Sequence, residues 1–205
     1  MRRMIVVVAL LAAAALAADN TPPEGFTALF NGKDLTGWGS RDGKPASTQQ
    51  VAEWKIADGI LKYTGKSSDL WTAKSYKDFV LMVEWRFEKP ADSGIFVRGS
   101  AKCQANIWEN KLGSGEVYGY RTDKSMPAEV QKAATPLKKA DKPAGEWNAF
   151  VITVKGDRMT VELNGEKVID NLQMVGCPAE GPIGLQNHNL PLDFKNIYSK
   201  ELKAE

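Results

Sequence analysis

Apolar and polar residues alternate in short runs along most of the chain, and turn dipeptides separate the runs. Trp54–Ala57 and Ile60–Tyr63 flank Asp58-Gly59, and residues 159–163 and 166–169 flank Asn164-Gly165. Both dipeptides suit two-residue hairpin turns whose central residues take positive φ. Phe150, Ile152 and Val154 alternate ahead of Gly156-Asp157, and further strands are predicted over 79–87, 94–98, 104–108, 183–186 and 194–198. Only residues 127–134 look like a short helix, entered at Ser125 or Met126 and closed by Pro136. Many short strands at this spacing predict an all-β, antiparallel sandwich or barrel.

The alternation also assigns faces. Leu81, Val83, Trp85 and Phe87 must point at a core, leaving Glu84 and Arg86 on the other side. Ile95 and Val97 form the next core pair, opposite Phe96 and Arg98, and Ala105 and Ile107 continue it, opposite Gln104, Asn106 and Trp108. If these three strands are neighbours, one face collects Glu84, Arg98, Gln104, Asn106 and Trp108. An ordinary solvated sheet face is the plain alternative. An indole is costly to leave in water, however, and planar amides, a guanidinium and a flat ring are what sugar hydroxyls and C–H faces need. A carbohydrate groove is the better reading.

Residues 111–146 form a connection much longer than usual, suited to a lid or an edge cover. They carry Glu116, Tyr118, Tyr120, Arg121 and Asp123, polar and aromatic material able to overhang a groove.

Charge narrows the partners. The 27 basic and 25 acidic side chains nearly cancel, so no excess is available to neutralise phosphates, and nucleic acid is not expected. No P-loop, dinucleotide fingerprint or zinc spacing occurs, and neither cofactor nor metal is expected. At the start, Arg2 and Arg3 precede an apolar run over 5–18 that ends in Ala15-Leu16-Ala17. The run falls short of the roughly 20 residues that span a bilayer. It reads as a secretory signal peptide over 1–18, followed by one domain over 19–205 in the periplasm or outside the cell. Cys103 and Cys177 would then meet an oxidising compartment and could pair, although sequence spacing alone does not show that their Cα atoms come within bridging distance.

Several blocks together resemble a known family. Phe30-Asn31-Gly32-Lys33-Asp34-Leu35-Thr36-Gly37-Trp38 is similar to the opening motif of the 3-keto-disaccharide hydrolase domain family. Leu70-Trp71-Thr72 with Tyr76-Lys77-Asp78-Phe79, then Ser93-Gly94-Ile95-Phe96-Val97-Arg98-Gly99, resemble its next blocks. Pro143-Ala144-Gly145-Glu146-Trp147-Asn148, Leu163-Asn164-Gly165 and Gly181-Pro182-Ile183-Gly184-Leu185-Gln186, with His188 close behind, complete the pattern. The resemblance implies a jelly-roll sandwich of the concanavalin A-like lectin/glucanase kind. It also implies cleavage of glycosides oxidised to a ketone at C3, by β-elimination and hydration, with a separate sugar 3-dehydrogenase upstream to make the ketone.

One departure bears on the chemistry. Many family members carry Glu-Val-Gln-Ile where this chain has Gln104-Ala105-Asn106-Ile107, so a carboxylate is replaced by an amide. Glu109 keeps an acidic residue shortly after. His188, the only histidine, suits proton transfer in both directions near neutrality. Arg98 suits an enolate oxygen, or an ion pair with Glu84, and Glu84 suits a desolvated base or the other half of that pair. Glu109, Glu116 and Tyr118 are further acid/base or binding candidates. Gln104, Asn106 and Gln186 are expected to bind hydroxyls, with Trp108 as a stacking ring. Two functions are open: an enzyme acting on 3-keto-glycosides, or a non-catalytic carbohydrate-binding, lectin-like module.

Overall fold

The computed structural model describes residues 20–44, 53–65, 67–89 and 91–203; the expected signal segment over 1–18 lies outside them. In chain order the strands are β1 (Thr27–Ala28), β2 (Trp38–Gly39), β3 (Trp54–Ala57), β4 (Ile60–Tyr63), β5 (Leu70–Tyr76), β6 (Phe79–Arg86), β7 (Asp92–Val97) and β8 (Ser100–Trp108). Helices α1 (Tyr118–Arg121) and α2 (Ala128–Ala133) come next, then β9 (Asn148–Lys155), β10 (Arg158–Leu163), β11 (Glu166–Gln173), β12 (Gly181–Leu185) and β13 (Leu192–Glu201).

The strands form two antiparallel sheets, a sandwich. The larger runs β11-β10-β9-β6-β13-β4-β3, with β1 also paired to β13, and the smaller runs β2-β5-β12-β7-β8. Both hairpin dipeptides behave as their sequence requires. Asp58 and Gly59 have φ of 54° and 74°, and Asn164 and Gly165 have φ of 54° and 82°, the left-handed pair that fits a two-residue turn to the strand twist.

Period-two alternation builds the core. Leu81, Val83, Trp85, Phe150, Ile152, Val154 and Val161 from the larger sheet join Ile95, Val97, Ala105, Ile107, Ile183 and Leu185 from the smaller in one buried cluster. Trp85 is fully buried, its ring centroid 5.7 Å from Phe87 and 5.5 Å from Phe150. Truncating such a ring to alanine costs about 3–5 kcal/mol, because the cavity adds to the lost transfer energy.

Two connections set the edges of the smaller sheet. Phe87 and Ala91, both buried, lie on the link that carries the chain from the larger sheet to the smaller. The long connection after β8 turns back along that strand's open edge. Asn106 donates its backbone N–H to Glu116 O at 2.9 Å, and Gly115 donates to Asn106 O at 2.7 Å. Edge cover is therefore its first role, relieving unpaired backbone groups. Cys103 on β8 is bonded to Cys177, in the link between β11 and β12, with Cα atoms 6.4 Å apart, inside the bridging range.

Candidate functional site

The outer face of the smaller sheet carries the side chains that alternate with the core. Gly184 faces Trp71 across β5 and Phe96 across β7; Gly94 faces Asn106, and Asp92 faces Trp108, across the β7–β8 pair. At the Asp92 end, a cleft of about 260 Å³ is lined by Asp92, Gln104, Asn106, Trp108, Tyr118, Gln186 and His188.

One wall pairs an imidazole with a carboxylate. His188 Nδ1 lies 3.0 Å from Asp92 Oδ2, and the imidazole is 52% exposed against 29% for the carboxylate. With Nδ1–H donated to Asp92, the other ring nitrogen keeps its lone pair and can accept a proton. Burial pushes the Asp92 carboxyl above its ordinary value, and the nearby His188 pulls the other way. Asp69 is raised by burial too, against a backbone hydrogen bond from Asn187 and the charges of Arg41 and His188. Asp69 Oδ1 accepts from Asn187 N at 2.8 Å. The Asn187 side chain in turn bonds Tyr63 Oη and Ser67 O, and its Oδ1 accepts from Asn189 N at 2.9 Å. The turn that presents His188 is thus pinned on both sides of the histidine.

The floor is made of amides. Gln104 Nε2 lies 3.0 Å from Asn106 Oδ1, 2.5 Å from Gln186 Oε1 and 3.3 Å from the backbone oxygen of Ser93. Ser93 Oγ donates to Gln186 O at 2.9 Å, and Gln186 N donates to Gly94 O at 2.9 Å. The glutamine crosses directly above Gly94, where a β-carbon would stand 1.9 Å from its Nε2. The opposite wall is aromatic. Trp108 and Tyr118 meet edge to face with centroids 6.2 Å apart, and the Arg121 guanidinium lies 5.7 Å from the Tyr118 centroid.

Of the residues expected from sequence, His188, Gln104, Asn106, Trp108, Tyr118 and Gln186 come together here. Glu84, Arg98 and Glu109 do not. Glu84 sits on β6, whose two edges are occupied by β9 and β13, so β6 cannot neighbour β7. Its carboxylate accepts from Asn196 Nδ2 at 2.9 Å and lies 3.7 Å from Lys195 Nζ.

Arg98 does not pair with Glu84 either. It is 3% exposed, and it donates to Lys77 O at 2.7 Å, Pro178 O at 3.3 Å and Asp78 Oδ1 at 3.0 Å. It lies six residues beyond Asp92 along the β7 direction, about 20 Å at the usual strand rise. The expectation that it shares a hollow with Asn106 and Trp108 therefore fails. Glu109, just past the end of β8, is exposed and lies in a separate depression with Lys139, Asp141 and Lys142. Glu116 is 1% exposed; its Oε1 is 2.6 Å from Arg121 Nε and its Oε2 has no partner. It is not among the residues that line the cleft, and Arg121 stands between it and the Tyr118 ring.

Sequence reasoning missed Asp92 and Asp69. Asp92 was within reach: counting back in twos from Phe96 through Gly94 puts it on the outer face. Asp69 had no such signal, because only the fold brings the start of β5 beside the turn after β12. Among the described residues no cluster of three or more His, Cys, Asp or Glu is arranged to hold a metal ion.

Known proteins share both the sequence pattern and the fold. A 3-keto-disaccharide hydrolase of Bacteroides thetaiotaomicron is 26% identical over 235 aligned positions, covering 87% of this chain and 79% of the relative. A solved protein of Parabacteroides distasonis, provisionally described as a glycosyl hydrolase, superposes with a TM-score of 0.68 at 23% identity, covering 91% of this chain and all of that one. A carbohydrate-binding module of Bacillus subtilis superposes with a TM-score of 0.53 at 16% identity, covering 80% and 96%. The last two show a shared fold. Residues 25–200 match the 3-keto-alpha-glucoside-1,2-lyase-like domain, and the chain belongs to that family.

Proposed function

We propose that this protein is an exported enzyme that hydrolyses 3-keto-glycosides, using His188 held by Asp92 as its proton-transfer group. The observation that carries the reading is the 3.0 Å His188–Asp92 contact at the rim of a cleft floored by amides. The family match and the named Bacteroides relative support the substrate class.

A ketone at C3 acidifies the proton on C2. His188 takes that proton, and the electron pair of the C–H bond becomes an enolate spread over C2, C3 and the C3 oxygen. Collapse of the enolate re-forms the ketone, makes a C1–C2 double bond and expels the glycosidic oxygen, which receives the proton from the imidazolium. Water then adds its oxygen to C1 and a proton to C2. One water is consumed and one glycosidic bond is broken. Asp92 stabilises the imidazolium in between, as a carboxylate beside a histidine does. Donors around the C3 oxygen carry the developing charge. No pair of carboxylates flanking the C1 bond is needed, unlike ordinary retaining hydrolysis.

The ketone must be supplied by an oxidoreductase acting on the same glycoside, a sugar 3-dehydrogenase. Export is supported by the apolar run behind Arg2 and Arg3 and by the Cys103–Cys177 bond, which suits an oxidising compartment. Sequencing the amino terminus of protein recovered from outside the inner membrane tests it, with Ala18 or Asp19 expected first.

The decisive assay offers the protein a 3-keto-disaccharide and the unoxidised parent. Turnover of the keto-sugar alone is expected, lost in His188→Ala and kept in Glu84→Gln. Tight binding of the unoxidised glycan with no turnover of either would instead make this a lectin-like module.

A further inference from the structure

We infer that Gln104 is a positioning residue: it turns the Asn106 and Gln186 amides so that both present N–H donors to the oxygen that becomes the enolate. The inference rests on the proposed reaction and goes beyond it by assigning the anion-holding group.

One group in the floor cannot be reversed. The backbone oxygen of Ser93 only accepts, and a Gln104 terminal atom lies 3.3 Å from it, so that atom must be the amide nitrogen. The same nitrogen lies 3.0 Å from Asn106 and 2.5 Å from Gln186. An amide nitrogen carries only donors, so both neighbours must turn their oxygens toward it. The two hydrogens of Gln104 are then consumed, one of them shared between acceptors. By the same rotation the Asn106 and Gln186 nitrogens face away from Gln104, and both residues line the cleft.

Gly94 makes the crossing possible. A β-carbon there would stand 1.9 Å from Gln104 Nε2 and 2.6 Å from its Cδ. A glutamate at this position would only accept. It would draw both N–H groups inward and leave oxygens facing the substrate, so the glutamine sets the sign of the floor.

Two variants test this. Gln104→Glu reverses the floor's polarity. Gly94→Ala evicts the Gln104 side chain without straining the backbone, because Gly94 is not among the glycines with positive φ. The readout is solvent deuterium exchange at C2 of a methyl 3-keto-glycoside, whose poor leaving group isolates enolate formation, together with kcat and KM on a 3-keto-disaccharide. Both variants should lose about 10²-fold in exchange rate and kcat, the size expected for removing oxyanion donors, with KM changed less than about threefold. Exchange and kcat within threefold of wild type, or a loss confined to KM, overturns the inference. Wild type that neither exchanges nor cleaves the keto-sugar sinks the parent reading instead.

A measurement on the unmutated protein stands apart from both. In nitrogen-15 spectra, the Gln104 side-chain protons should exchange with water more slowly than those of Asn106 and Gln186. Equal rates overturn the assignment.

Discussion

The outer faces of the two sheets are built from the same kinds of residue, yet their polar groups are held in different ways. On the larger sheet Arg86 meets Asp193 at 2.8 Å, Glu84 accepts from Asn196 at 2.9 Å and approaches Lys195 at 3.7 Å. Arg86 and Lys195 both lie over the Trp147 ring, 4.7 and 4.6 Å from its centroid. Each of these charges has a neighbour of the complementary kind, at a distance that holds it. On the smaller sheet Asp92 and Asp69 are kept above their ordinary carboxyl values by burial, and His188 stands half exposed beside them. A face whose polar groups satisfy one another stabilises the fold. A face that leaves a titratable pair partly desolvated over open amides is equipped to move a proton.

The hardest blow to this contrast is His188→Ala. Loss of the proposed general base should lower turnover of a 3-keto-disaccharide by about 10²–10⁴-fold while leaving thermal unfolding nearly unchanged, since the imidazole is half exposed. A variant that turns over normally would place the chemistry elsewhere.

Removing the disulfide asks how far the working face depends on the rest of the sandwich. Cys103 and Cys177 are 74 residues apart, and a loop of that size contributes about 4 kcal/mol in the chain-entropy account. The double variant Cys103→Ala with Cys177→Ala should lower the midpoint of thermal unfolding by roughly 10 °C. Hydrogen exchange should quicken in β8 before β9 and β10, because the bond tethers the edge strand of the smaller sheet. Uniform loosening of both sheets would contradict that picture.

How much of this was legible in the sequence depends on the range over which each signal acts. Hairpins at Asp58-Gly59 and Asn164-Gly165, the core faces of β6, β7 and β8, and the short helix at 128–133 rest on neighbouring residues and are found where expected. The two-residue strands β1 and β2 are too short to show alternation, and β5 starts with three buried residues in a row. Glu84 was misplaced for a different reason. Alternation tells which side of a strand a residue occupies but not which sheet the strand joins, and β6 and β7 lie in opposite sheets. Arg98 has the right parity and the wrong end: a left-handed φ of 52° turns it off the strand, where Asp78 holds it.

Asp92→Asn probes the raised carboxyl directly. An unfolded aspartate titrates near 3.8, and the folded one holds its proton to higher pH because burial disfavours its charge. Below 3.8 this group adds nothing to the difference between states. As pH rises from 3.8 to the raised value, the unfolded state gives up its proton while the folded state keeps it, so wild type loses stability relative to the asparagine variant across that window and loses no more above it. The advantage of Asp92→Asn in urea midpoint should therefore widen from pH 3 to pH 6, while its turnover falls. A gap that shrinks as pH rises would mean that the pairing with His188 outweighs burial.

The smallest effect completes the contrast. Glu84→Gln keeps an oxygen able to accept from Asn196 and loses only the 3.7 Å approach of Lys195. Lys195 keeps its place over Trp147. A partly exposed ion pair of this length is worth less than about 1 kcal/mol, and the residue lies on the far side of the core from the cleft. Stability should fall by no more than that, and turnover of a keto-disaccharide should stay within twofold. A carboxylate can look catalytic by type and by strand parity and still be spent entirely on its neighbours. If Glu84→Gln abolished turnover with the fold intact, paired polarity would no longer mark a face as structural, and the distinction between the two sheets would fall with it.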